Sequence, residues 1–132
     1  MTITGLRTDL IIVTCAVSAG IHAALAPNHF KEGSGAGVGF VVATVLLALL
    51  AVVLTQNPSE LALVATAGVF AGLIVSYALV TTTGFPVLHP DVEAVDGLAL
   101  FTKTIEGVGL VTAVTLVRRT SIVGLQPKGT LR

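Results

Sequence analysis

Three histidines and seven acidic side chains are the groups in this chain able to handle protons or metals. His22, His29 and Glu32 follow one another as HxxxxPxHxxE, and Glu106 stands far from them in sequence, within an apolar run. At 100° per residue, Cys15, Ser18 and His22 fall within an arc of about 60°, which His29 joins if the helix continues past Pro27. Asp96, Lys103 and Glu106 share about 80° of a second helix by the same rule. Imidazole with carboxylate suits zinc, copper or manganese, and His22, His29, Glu32 and Glu106 together supply enough ligands for a four-coordinate site. The same set also suits a proton or a small ligand.

Plainer roles compete. Lys103 lies three residues before Glu106, where a local ion pair neutralises both and only fixes helix packing. The spacing of the four candidate ligands is no established zinc signature, and the Lys103 ammonium opposes a cation beside it. Haem does not fit, because His22 and His29 are separated by about 10 Å along one helix and cannot take opposite faces of one iron. Cys15 has no partner thiol and reads as a small buried side chain, His89 as a solvated loop residue, and Tyr77 as an interfacial anchor within reach of the polar cluster. Ser18, Asp96, Lys103 and Tyr77 are thus the expected supporting polar residues.

These residues must be held by apolar elements. The chain has 132 residues, 54% hydrophobic, 11% charged and 5% aromatic, with a mean hydropathy of +0.98. An average soluble domain has about 25% charged residues, and a soluble fold of this size cannot hide so much apolar surface. Segments 10–26, 38–56, 61–82 and 98–117 are nearly free of charge, each close to the roughly 20 residues that cross a hydrocarbon core. An open sheet would leave backbone groups unpaired in lipid, so the expectation is an all-α, integral membrane four-helix bundle with antiparallel up-down topology and a single domain.

The turn Asn57-Pro58-Ser59-Glu60 predicts a helix start with Asn57 as N-cap, Pro58 at the first helical position and Glu60 at the third. Connections 27–37 and 83–97 are longer and carry polar residues. Gly33, Gly35 and Gly37 in the first, with Gly39 just beyond it, are read as a flexible link because neither a preceding strand nor a Lys-Ser/Thr pair completes a phosphate loop. In the second, Pro90 followed by Asp91 and Glu93 looks like an early start for the fourth helix. The Gly68 to Gly72 GxxxG, with Gly107 and Gly109, is expected to allow close helix contact. Glu106 lies about 12 Å and His22 about 7 Å below the outer surface, depths that let them meet if the first and fourth helices are neighbours.

Seven basic residues balance seven acidic ones, and the absence of any long basic run excludes a nucleic-acid partner. Resolved by position, Arg7, Arg118, Arg119, Lys128 and Arg132 share one end, so the positive-inside rule places both termini in the cytoplasm of a plasma or inner membrane. Glu32, Asp91, Glu93 and Asp96 with His29 and His89 then face outward. Ala24-Leu25-Ala26 resembles a signal-peptidase site, but the apolar stretch before it exceeds a usual signal core of about 7–15 residues, so the segment reads as a span. No nucleophile, base and orienting partner can be assembled, which argues against an enzyme. The expected function is an outward-facing His/carboxylate cluster that binds a transition metal or a proton-coupled small ligand. The alternative is a non-catalytic accessory or scaffold subunit of a larger membrane complex. Besides the lipid bilayer, the partners this leaves open are another membrane protein or a second copy of the chain.

The stretch 20–32 resembles the first-helix HxxxxPxHxxE motif of a family of small bacterial four-span membrane proteins. The likeness continues through Gly39-Phe40, Gln56, Tyr77, Gly84-Phe85-Pro86, Glu93 and Glu106, and so covers most of residues 10–117. It departs at Thr83, where the family pattern has an arginine before the Gly-x-Pro turn. The resemblance implies the four-span architecture and adds weight to His22, His29, Glu32 and Glu106 as a set. It implies no activity.

Overall fold

The computed structural model describes residues 3–84, 92 and 94–124. These form four α-helices, with no strand among the described residues: α1 (Ile3–Glu32), α2 (Ser34–Gln56), α3 (Glu60–Thr82) and α4 (Gly97–Gly124). Each contains a stretch long and apolar enough to cross a membrane. Leucines and valines cover the outer faces, with Leu49 57% and Val111 63% exposed, so the bundle's exterior is as apolar as a hydrocarbon solvent requires.

α1 does not stop at Pro27, where sequence reasoning ends the first span. Pro27 removes one backbone hydrogen bond, but the helix runs on to Glu32. The added turn is held by contacts that repay an internal proline, which costs about 3 kcal/mol: His29 pairs with Glu32, and the Phe30 ring covers Gly37 of α2. The expected flexible 27–37 link is therefore absent. Gly33 alone separates the two helices, its amide donating to the His29 carbonyl at 3.0 Å while its own carbonyl accepts from Gly37 at 3.1 Å. Gly37 has to be glycine, because the Phe30 ring occupies the place of a Cβ.

The start of α3 also differs from expectation. Ser59, not Asn57, is the N-cap, its hydroxyl accepting from the Ala62 amide at 3.2 Å, which puts Glu60 at the first helical position. Asn57 instead closes α2, its amide donating to the Val53 carbonyl at 2.7 Å. A serine in extended backbone reaches the third amide of the following helix, which otherwise has no partner. α4 begins at Gly97, capped by Asp96, whose carboxylate accepts from the Ala99 amide at 2.7 Å. The proposed earlier start at Pro90, Asp91 and Glu93, and His89 with them, lie outside the described residues.

The helices pack in a closed ring, α1 on α2, α2 on α3, α3 on α4 and α4 on α1. Ile11, Cys15, Leu47, Leu54, Leu63, Phe70, Ala113 and Leu116 fill its centre. The GxxxG motif does not make the helix contact expected of it: a Cβ on Gly68 or Gly72 would meet nothing, because both lie on the exterior of α3. The close approach is at Gly109 of α4, where a Cβ would collide with the Phe70 ring and come within 2.8 Å of the Thr14 hydroxyl. Gly109→Ala should therefore cost about 1–3 kcal/mol by overpacking. Gly68→Ala and Gly72→Ala, with open space and a better helix former, should be neutral or gain up to about 1 kcal/mol. Denaturant unfolding in micelles compares the three, and equal losses at all of them would contradict this packing.

Candidate functional site

Ser18 and His22 are one turn apart on the buried face of α1, and Lys103 and Glu106 are one turn apart on α4. Contact between α1 and α4 brings the two pairs together. The Glu106 carboxylate is fully buried. One oxygen accepts from Lys103 Nζ at 2.5 Å, and the other accepts from Ser18 Oγ at 2.8 Å and lies 3.8 Å from His22 Nε2. Thus the local Lys103–Glu106 pair and the longer-range approach of His22 both exist, and Ser18 joins them.

The His22 ring orientation fixes its tautomer. Nδ1 lies 2.8 Å from the Ser18 carbonyl oxygen, which can only accept, so Nδ1 carries a proton. Glu106 is already neutralised by the Lys103 ammonium, and a second positive charge in this buried place has no further counter-charge. The neutral ring, with Nε2 as an acceptor, satisfies that balance.

Toward the Glu32 end of α1, His29 Nδ1 and Glu32 Oε2 are 2.6 Å apart, so a second imidazole is oriented by an acceptor at Nδ1. The Phe40 ring of α2 packs on both imidazoles, stacked on His29 with centroids 3.8 Å apart and tilted against His22 at 5.1 Å. His22, His29, Phe40, Tyr77 and Lys103 border a cavity of about 360 Å³, within the size range of small-molecule sites. Glu32 and Asp96 contribute to its rim, and Leu25, Leu73 and Val80 to its apolar wall. Lys103 Nζ lies 5.5 Å from the centre of the Tyr77 ring, a cation–π geometry that steadies the ammonium between ring and carboxylate.

The four candidate ligands named from sequence thus come together as two pairs, His22 with Glu106 and His29 with Glu32. No three His, Cys, Asp or Glu side chains among the described residues converge on one point, so the four-ligand zinc or copper set is not assembled. Phe40 fills the space between the pairs' imidazole faces. Asp96 caps α4 and sits at the rim rather than in the Glu106 cluster. Phe40 was legible only as an aromatic entering the second span; its role follows from folding α2 back along α1, which the unexpectedly short Gly33 link brings about. Cys15 is buried in the core.

Glu106→Gln leaves the Lys103 ammonium without its counter-charge and should destabilise the bundle by about 3 kcal/mol. Adding Lys103→Met removes the stranded charge and should recover most of that loss. Unfolding of the single and double variants in micelles measures the difference, and no recovery in the double variant would show that the ion pair is not the cause. No family model matches the chain, and neither does any curated protein or solved structure, so its chemistry rests on these residues alone.

Proposed function

We propose that the chain is a multi-pass membrane protein with up-down topology and both termini in the cytoplasm, whose outward-facing cavity binds a small ligand with a proton shared at His22. It binds rather than transforms its ligand. The observation that carries this reading is the buried Ser18–Glu106–Lys103 cluster beside the His22 wall of a ligand-sized cavity. Ionisable groups held inside an apolar bundle are expensive, and they serve most often where a ligand or proton has to be received. His22 offers the acceptor, Glu106 a carboxylate 3.8 Å from it that is already shared with Lys103, and Phe40 with Tyr77 the walls. The orientation rests on the excess of arginine and lysine at the end of the chain that holds both termini.

Native mass spectrometry of the protein released from its membrane in mild detergent tests the reading. Wild type should carry one small molecule, and Ala99→Trp, which puts a large ring into the cavity from α4, should lose it. The released molecule, titrated back in two buffers of different ionisation enthalpy, should bind with a proton exchange that His22→Ala abolishes. An empty wild-type cavity together with a stably co-purifying membrane protein would replace this reading with that of an accessory subunit.

A further inference from the structure

The charges around the cavity restrict what it can hold. Inside, the Lys103 ammonium is neutralised by Glu106, which lies behind the wall rather than in it. At the rim, Glu32 is paired with His29 and is 48% exposed in its side chain, so water screens it. Asp96, also exposed, is answered by the amide end of α4. Among the described residues no interior charge is left for a charged ligand to meet, and a carboxylate or ammonium entering this apolar space would lose its hydration without gaining a partner from them.

What the interior does offer is an acceptor. His22 lines the cavity, and with Nδ1 committed to the Ser18 carbonyl, Nε2, which lies 3.8 Å from Glu106, is the one ring nitrogen left to accept a hydrogen bond. Around it stand an aromatic wall, Phe40 and Tyr77, and aliphatic side chains. A flat aromatic body packs well against such walls in offset or edge-to-face geometry. A phenolic hydroxyl supplies the donor that Nε2 lacks, and its acidity makes it a stronger donor than an aliphatic alcohol.

We infer that the cavity takes a neutral aromatic hydroxyl compound, a phenol or quinol, with its hydroxyl donating to His22 Nε2 and its ring against Phe40. This rests on the small-ligand reading above and adds the chemical class of the ligand. Membrane access favours the same class, since a neutral, mostly apolar molecule reaches the cavity from either water or lipid.

A series sharing one body and differing in its head decides the matter on wild-type protein in nanodiscs: para-propylphenol, propylbenzene, para-propylcyclohexanol, para-propylbenzoate and para-propylbenzylammonium. Saturable shifts of the His22 imidazole NMR signals report binding at the site itself. The phenol is expected to bind about tenfold or more tightly than each of the others, the worth of one buried hydrogen bond or of one unpaired buried charge. In His22→Phe, read through the cavity-facing Tyr77 signals, that preference over propylbenzene should vanish; if this variant does not fold, the wild-type series decides alone. Equal binding of propylbenzene or of the cyclohexanol would overturn the donor or the aromatic requirement. Tighter binding of the benzoate or the ammonium would overturn the neutral class while leaving a ligand cavity in place. Binding of none of the five would overturn both this inference and the small-ligand reading beneath it.

Discussion

A carboxylate without access to solvent has to be answered from within the bundle, and Glu106 is answered from two helices at once. Lys103 reaches it along α4 and Ser18 across from α1. An unanswered buried carboxylate costs several kcal/mol, so the contact between the first and last helices, which closes the ring, is tied to one chemical requirement. Meeting it sets the rotation of α1. With Ser18 turned to Glu106, His22 one turn on faces the same interior, and His29 two turns beyond that reaches the Phe40 ring of α2. The cavity is the space that this rotation leaves among the four helices, with Phe40 of α2 in its wall.

The other hydroxyls show how unusual that cross-helix bond is. Thr14, Thr44, Thr66, Thr102, Thr104 and Thr112 each donate to a carbonyl within their own helix, at 2.7–2.8 Å. That is the ordinary solution for a hydroxyl in apolar surroundings, since it needs no neighbour. Ser18 could do the same and instead spans two helices. Its donation to Glu106 directs one carboxylate oxygen toward the His22 side while Lys103 holds the other, so the two oxygens have different partners and different duties.

Much of this was legible in the sequence where periodicity or local pairing decides. The arc of Cys15, Ser18 and His22 follows from helical geometry alone, as does the Lys103–Glu106 pair, and four stretches nearly free of charge translate directly into four helices. What escaped were features set by tertiary contact. Pro27 looks like a helix end because a proline's cost is local, whereas the Phe30–Gly37 and His29–Glu32 contacts that offset it depend on α2 folding back at once. Gly68 and Gly72 fit a packing motif whose use depends on which face of α3 is turned inward, and Phe70 and Thr66 claim that face instead. The His29–Glu32 pair was read as half of a four-ligand set because the sequence does not reveal that Phe40 would pack against both imidazoles.

The ion cluster is not the sole contact that closes the bundle. Thr14, Phe70 and Gly109 already bring α1, α3 and α4 together through shape, and Ile11, Ala113 and Leu116 pack by apolar contact nearby. Apolar residues of similar volume commonly replace a buried ion pair with no loss, or with a gain in stability, because the desolvation of two charges disappears. The cluster stands against the wall of a cavity rather than in the filled part of the core, which is the placement that the proposed ligand site requires. Its position supports the same view. The filled core occupies the half of the bundle around Phe70 and Leu54, while Glu106, Lys103 and His22 lie where the core gives way to the open space.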